Sequence, residues 1–103
     1  MKNIFKIIWS DEARKNLNVI INYLEKNWTE KELKQFTKLL DNSINSIEKN
    51  PNLFPLFNHS TNVRRFVISK QTSIFYHIVD SEVRLITLFD NRQNPKRLKN
   101  KLL

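Results

Sequence analysis

The chain has 103 residues, enough for one domain with a hydrophobic core and too few for two. Its 40% hydrophobic and 27% charged residues are typical of a globular protein and exclude a disordered chain. It contains no cysteine, which excludes disulfides and thiol chemistry, and no apolar stretch approaches the ~20 residues of a membrane span. We therefore expect a single domain over residues 1–103, cytoplasmic and without a metal or cofactor.

The positive charge is large and unevenly distributed. The formal net charge is +8 at pH 7. Residues 1–61 hold nine Lys and Arg against seven Asp and Glu, a net of +2, whereas residues 62–103 hold nine against three, a net of +6. A positive field concentrated in one part of a protein indicates an anionic partner, such as nucleic acid, a ribosome or an acidic protein.

Two amphipathic helices are predicted after a short first strand at residues 4–9. Ser10 occupies an N-cap position, and the first helix has an apolar stripe at helical spacing, made of Ala13, Leu17, Ile20, Ile21, Leu24 and Trp28. Thr29 and Glu32 match a capping box that opens the second helix. Its stripe consists of Leu33, Phe36, Leu40, Ile44 and Ile47. Pro51 ends this helix, because the residue before a proline avoids helical geometry.

The second half of the chain predicts a loop and then a β-meander. Residues 50–61 carry two prolines and several aromatic anchors and are expected to form a loop, with His59 on its surface instead of acting as a base or metal ligand. Runs of β-branched and aromatic residues at 63–68, 72–79 and 83–89 are separated by about three residues, a spacing that suits antiparallel hairpins. The predicted fold is α+β, in the order β-α-α-β-β-β, with the helix hairpin on one face of a largely antiparallel sheet.

Both faces of the last two predicted strands are largely apolar. Strict alternation places four residues of the last strand on one face, namely Val83, Leu85, Thr87 and Phe89, and three on the other, namely Arg84, Ile86 and Leu88. Because the helices cover only one face, we expect the second to be an apolar surface rimmed by positive charge, which is typical of a protein interface. The segment after the last strand reads as a short basic tail or helix. Without glycine, left-handed turn residues should be Asn or Asp, as at Asp80 or Asn91.

Five motifs in this order resemble the RelE/ParE superfamily, small toxins of bacterial type II toxin–antitoxin modules. They are W-S-D-E-A (9–13), N-P-N-L-F-P (50–55), V-R-R (63–65), I-F-Y-H-I-V-D (74–80) and L-F-D-N-R-Q-N-P (88–95). The resemblance implies a cytoplasmic toxin, as in plasmid stabilization modules, neutralised by a cognate antitoxin that wraps its apolar grooves. It also implies a toxin–antitoxin hetero-oligomer or a homodimer.

One branch of that superfamily, the RelE branch, cleaves mRNA on the ribosome. Cleavage needs a proton acceptor, a proton donor and positive charge at the phosphate. Arg64 matches the first basic position of that branch, but Phe66 and Ser73 stand where it has Lys and Arg, and no Tyr or His follows Phe89. The remaining catalytic candidates are Arg64, Tyr76 and Arg92. Tyr76 is expected to be a core residue and His77 a packed or rim histidine on the opposite face.

The other branch, the ParE branch, poisons DNA gyrase by binding it. This chain resembles that branch in its helix hairpin and R-x-x-P ending, so a gyrase-directed toxin without catalysis is the favoured function. The alternative is a ribosome-dependent mRNA endoribonuclease, and a plain nucleic-acid-binding module is least favoured because its platform motifs are missing. The residues expected to contact target or antitoxin are Arg64, Arg65, Arg84, Arg92 and Arg97. Arg65 and Arg84 could instead merely solubilise the rim of the sheet.

Overall fold

The computed structural model describes residues 5–90 of the chain. The elements in order are β1 (Lys6–Trp9), α1 (Asp11–Asn27), α2 (Glu30–Lys49), a 3-10 helix (Pro51–Leu53), β2 (Leu56–Asn58), β3 (Val63–Val67), β4 (Thr72–Val79) and β5 (Glu82–Asp90). The predicted α+β class, the helix hairpin and the meander are confirmed.

One five-stranded sheet has the order β1-β5-β4-β3-β2. All neighbouring pairs are antiparallel except β1 and β5, which are parallel. Parallel pairing needs a long crossover, and the helix hairpin supplies it between β1 and the meander. The two ends of the described sheet are therefore edge strands, β1 on one side and the short β2 on the other.

The prediction of a plain loop over residues 50–61 is wrong in part. The segment contains the 3-10 helix and β2, which pairs with β3 through Leu56 opposite Arg64 and Asn58 opposite Val63. The pairing is irregular and only three residues long, so no alternating pattern marks it in the sequence. This extra strand brings the aromatic side chains of the segment against the meander.

Both helices begin at the predicted caps. The Ser10 hydroxyl accepts a hydrogen bond from the Ala13 amide at 3.0 Å, and Thr29 and Glu32 form the complete capping box. The inner stripes of the two helices and the facing strand residues form a continuous core, which includes Ile20, Leu24, Phe36, Leu40, Ile47, Ile74, Tyr76, Leu85 and Leu88. The helices therefore cover one face of the sheet, which we call the helix-side face.

The opposite side, which we call the outer face, is not an uncovered apolar surface at its centre. Val63 is 3% exposed and Phe75 is 1% exposed, and with Phe89 they form a second, smaller cluster. The Phe57 ring, brought in by β2, lies edge-on against the Phe75 ring with centroids 4.8 Å apart. The expectation of a bare face is wrong here because β2 supplies aromatic cover that a loop was not expected to provide.

A β-bulge in β5 also changes the predicted alternation. Tyr76 pairs with Leu85 and Phe75 pairs with Thr87, so β5 has one extra residue, Ile86, at this point. After a bulge the alternation of side chains resets. Leu88 consequently joins the helix-side core, although it was predicted on the same face as Arg84.

Within residues 5–90, two residues adopt left-handed backbone conformations, Asn62 (φ 58°) and Asp80 (φ 56°). Asn and Asp tolerate this region better than other non-glycine residues. The prediction for Asp80 is confirmed, and Asn91 lies outside the described residues.

Candidate binding surface

Arg64 holds the segment that follows α2. Its Nη1 donates to the Phe54 carbonyl at 2.6 Å and to the Asn52 carbonyl at 3.2 Å. The side chain is half-buried. Hydrogen bonds from a charged donor are stronger than neutral ones. The guanidinium therefore fixes the turn at residues 52–54, whose carbonyls it binds and which lies outside the strands of the sheet. Arg64 is thus engaged by its own chain.

Tyr76 lies opposite Arg64 in the sheet and performs a similar task. Its hydroxyl donates to the Pro51 carbonyl at 2.7 Å, and the residue is 0% exposed. Burial raises the pKa of Tyr76 to about 12, against a smaller lowering by the Arg64 guanidinium. The expectation of a core tyrosine is confirmed. A phenol this deep neither reaches a substrate nor releases its proton near neutral pH.

His77 points away from Tyr76 and is half-buried on the outer face, opposite Arg84. Burial lowers the pKa of His77, and repulsion from the Arg84 guanidinium lowers it further. The imidazole is therefore neutral at pH 7 and adds no charge to this face.

Arg65 and Arg84 both lie exposed on the outer face. Arg84 donates twice to the Glu82 carboxylate, at 3.0 and 2.9 Å, so much of its charge is balanced locally. Arg65 donates from Nε to the Ser73 hydroxyl at 3.3 Å. Within residues 5–90 no carboxylate forms an ion pair with Arg65. Of the three sheet arginines, Arg65 is therefore the most available to a partner.

Two further candidates, Arg92 and Arg97, lie outside the described residues. Among residues 5–90, no three His, Cys, Asp or Glu side chains come together as metal ligands would. In the same range no helix is both long and apolar enough to cross a membrane. Arg65 and Arg84, with the apolar cluster between them, form the exposed surface that we take as the candidate binding surface.

Comparison with known proteins identifies the family of the chain. The sequence model of the ParE toxin of the type II toxin-antitoxin system, parDE, matches residues 7–95. The chain belongs to this family. It is thus a ParE-family toxin, the toxin component of a type II toxin–antitoxin system. No curated protein is similar enough in sequence to count as a match.

Solved structures are similar to this ParE-family toxin in fold at low sequence identity. The chromosomal ParDE system of P. aeruginosa is 10% identical, with a TM-score of 0.72 over 86% of this chain and 98% of that chain. A copper-bound mutant toxin from Helicobacter pylori is 16% identical, with a TM-score of 0.52 over 84% and 94%. YafQ from E. coli aligns less closely, at 18% identity and a TM-score of 0.49 over 84% and 92%.

One buried polar residue of the ParE-family toxin was missed by the sequence reasoning. The Asn16 side-chain oxygen accepts from the Thr87 hydroxyl at 2.5 Å and from the Leu88 amide at 3.2 Å, next to the bulge in β5. Its side-chain amide donates to Glu12 at 2.9 Å. The signal is present in the sequence, because Asn16 falls on the apolar stripe of α1, three residues after Ala13. Asn16 fixes α1 against β5 and is structural.

The exposed apolar side chains were also missed, and Trp28, which was predicted on the apolar stripe of the first helix, is exposed at the end of α1. Among residues 5–90 they form two groups. One lies on the helix hairpin and comprises Val19, Tyr23, Trp28 and Leu39; the other lies around β2 and β3 and comprises Leu53, Phe57 and Val67. The place of Phe57 could not be seen without β2, because the pairing of β2 with β3 brings the Phe57 ring against Phe75.

Proposed function

We propose that this toxin stops growth by binding and poisoning DNA gyrase and that it catalyses no reaction of its own. The observation that carries the proposal is the state of its nuclease candidates. Tyr76 is sealed in the core and the Arg64 guanidinium is bound to backbone carbonyls. In-line cleavage of RNA needs an accessible proton acceptor and donor. Near the sheet arginines, residues 5–90 offer the half-buried His77 imidazole and the Glu82 carboxylate, which is bound to Arg84.

Charge supports a binding role. Residues 62–103, which include β3 to β5, carry a net charge of +6, and Arg65 and Arg84 point outward from one face. A cationic face raises the rate of encounter with an acidic surface. We propose Arg65, Arg84, Arg92 and Arg97 as contacts to the target or to the antitoxin. Arg64 would act indirectly, by holding the loop beside them.

The toxin would act in the cytoplasm and be neutralised there by its cognate antitoxin in a hetero-oligomer. Family membership supports this proposal, since the family is defined by toxin–antitoxin pairs. No membrane, metal or cofactor enters the proposed action.

Two assays on the purified protein separate gyrase poisoning from the ribonuclease alternative. The first measures DNA supercoiling by gyrase, and the second measures message integrity during in vitro translation. Lost supercoiling with intact message supports the proposal. Message cleaved on ribosomes, with supercoiling intact, would replace it with a ribosome-dependent mRNA endoribonuclease.

A further inference from the structure

Leu53 is the most exposed large apolar side chain within residues 5–90, with 72% of its surface open to solvent. The apolar residues on either side of it behave differently. Pro51 is buried, and the Phe54 ring packs edge-on against the Phe66 ring with centroids 4.6 Å apart. The segment therefore turns Pro51 and Phe54 toward the protein and leaves Leu53 in water.

Arg64 holds the backbone immediately before and after Leu53. Its Nη1 donates to the Asn52 carbonyl at 3.2 Å and to the Phe54 carbonyl at 2.6 Å. The Leu53 amide closes the 3-10 turn by donating to the Asn50 carbonyl at 3.1 Å. Because a charged donor binds both flanking carbonyls, the direction in which the Leu53 side chain leaves the backbone is fixed.

Two further hydrogen bonds hold the ends of this segment. The buried Tyr76 hydroxyl donates to the Pro51 carbonyl at 2.7 Å, and the Arg65 amide donates to the Pro55 carbonyl at 3.1 Å. A loop that is ordered before it meets a partner loses less entropy on binding. Leu53 is therefore an apolar side chain that is presented to solvent by an already ordered loop.

The same hydrogen bonds connect Leu53 to the proposed contact residues. The segment is bound to the backbone of Arg65, whose side chain is exposed. A leucine gains free energy when it enters an apolar pocket, and a nearby arginine pairs with carboxylates. The matching partner is a protein with an apolar pocket beside acidic side chains. A second copy of this chain fits poorly, because each copy carries a net charge of +8.

We propose that Leu53 is an apolar contact residue that enters a pocket of the target protein, beside the carboxylates that Arg65 engages. Arg64 is the positioning residue that presents it. This inference rests on the proposed binding of gyrase and adds to it a contact that does not depend on charge.

The test compares the toxin concentrations that halve DNA supercoiling by purified gyrase. Leu53→Asp places a charge at the apolar contact, and we expect it to raise this concentration about tenfold, equivalent to roughly 1.4 kcal/mol. Leu39→Asp is the matched control, because Leu39 is also an exposed leucine but lies on α2. It should inhibit like wild type. Wild-type inhibition by a folded Leu53→Asp would overturn the inference, and so would an equal loss in Leu39→Asp.

Leu53→Ala covers the case in which the melting curve shows that Leu53→Asp is unfolded. This variant shortens the side chain without adding a charge, and it should raise the inhibitory concentration about fivefold. If Leu53→Ala inhibits at the wild-type concentration, Leu53 is not a contact residue.

The positioning role of Arg64 is tested by a double-mutant cycle. Arg64→Lys keeps the charge but removes the planar donor group. It should raise the inhibitory concentration about threefold in the wild type and have little further effect in Leu53→Asp, because the presented contact is already lost. Equal effects in the two backgrounds would give Arg64 a purely structural role and contradict its assignment as a positioning residue.

Growth arrest on expression separates this inference from the gyrase proposal. If the wild type leaves supercoiling intact, gyrase is removed as the target, and the same variants are compared by growth arrest at equal expression. Arrest that is weakened by Leu53→Asp and not by Leu39→Asp would retain Leu53 as a contact to another target protein, whereas equal arrest would overturn it. Gyrase inhibition that is the same in wild type and Leu53→Asp would leave the gyrase proposal in place and remove the Leu53 contact. A loss of antitoxin affinity in Leu53→Asp with unchanged gyrase inhibition would likewise remove it, by assigning Leu53 to the antitoxin.

Discussion

The two faces of the sheet differ in how their side chains are used. On the helix-side face Ile74, Leu85 and Leu88 are fully buried against both helices. On the outer face a small cluster around Phe75 is bordered by exposed Arg65 and by Arg84. Burial of apolar area is the main favourable term in folding, so the first face largely determines stability. The second face keeps charged side chains exposed to solvent, and we propose it as the contact surface.

The arginines show the same division. Arg64 points to the helix side, where it is half-buried and holds backbone carbonyls, whereas its neighbour Arg65 points to the outer face and remains exposed. One step along a strand reverses the face. Substitutions at these two adjacent positions should therefore have different consequences, the first for the loop conformation and the second for binding.

The largest effect is expected from Leu40→Ala. Leu40 is buried in the helix-side core, and the cavity should reduce the free energy of unfolding by ~2–5 kcal/mol. The adjacent Leu39 is exposed, so Leu39→Ala is the matched control and should change stability by less than about 0.5 kcal/mol. Urea unfolding measures the free energy of unfolding of both variants. A melting temperature of Leu40→Ala within a degree of wild type would contradict the assignment of this face to stability.

A smaller loss is expected from Tyr76→Phe. The Pro51 carbonyl loses its buried donor, and an unsatisfied buried group costs about 1–3 kcal/mol. The pH dependence gives a second signature, because the pKa of Tyr76 is raised to about 12 from 10. Between these two pH values the folded state keeps the phenol proton that the unfolded state releases. The stabilisation that Tyr76 provides is therefore complete below pH 10 and is lost as pH rises toward 12. The difference in stability between wild type and Tyr76→Phe should shrink over that interval. A constant difference would mean that Tyr76 is accessible to solvent.

The smallest change in stability is expected from Arg92→Ala. Arg92 lies outside the described residues, but it belongs to the basic end of the chain. We expect weaker growth arrest on expression and an unfolding curve that matches wild type. Unchanged growth arrest would contradict the assignment of Arg92 as a contact residue.

Local signals in the sequence predict much of this fold. The caps at Ser10 and Thr29 and the two apolar stripes depend on residues within one or two helical turns, so the helices follow directly from the sequence. The meander follows from three runs and two short breaks. The parallel pairing of β1 with β5 was not predicted, because no local sequence signal in or around β1 indicates which strand pairs with it.

The missed features depend on contacts between distant segments. Strand β2 has three residues and an irregular register, and its pairing is visible only once β3 is in place. The bulge at Ile86 interrupts an alternation that looks regular in the sequence. The role of Arg64 depends on carbonyls that the 3-10 helix brings to it. For these reasons the arginines could be named as candidates from the sequence. The sequence could not show that Arg64 is engaged by its own chain while Arg65 and Arg84 are exposed.

The most direct test of this division is the double variant Arg65→Ala/Arg84→Ala, in which growth arrest on expression and the free energy of unfolding are measured together. Both side chains are exposed on the outer face, so the unfolding free energy should stay within about 0.5 kcal/mol of wild type. Growth arrest should be lost, because the variant removes the two cationic side chains that we propose as contacts to the target. A variant that remains folded and fully toxic would contradict the account, and so would one that loses toxicity only because it unfolds.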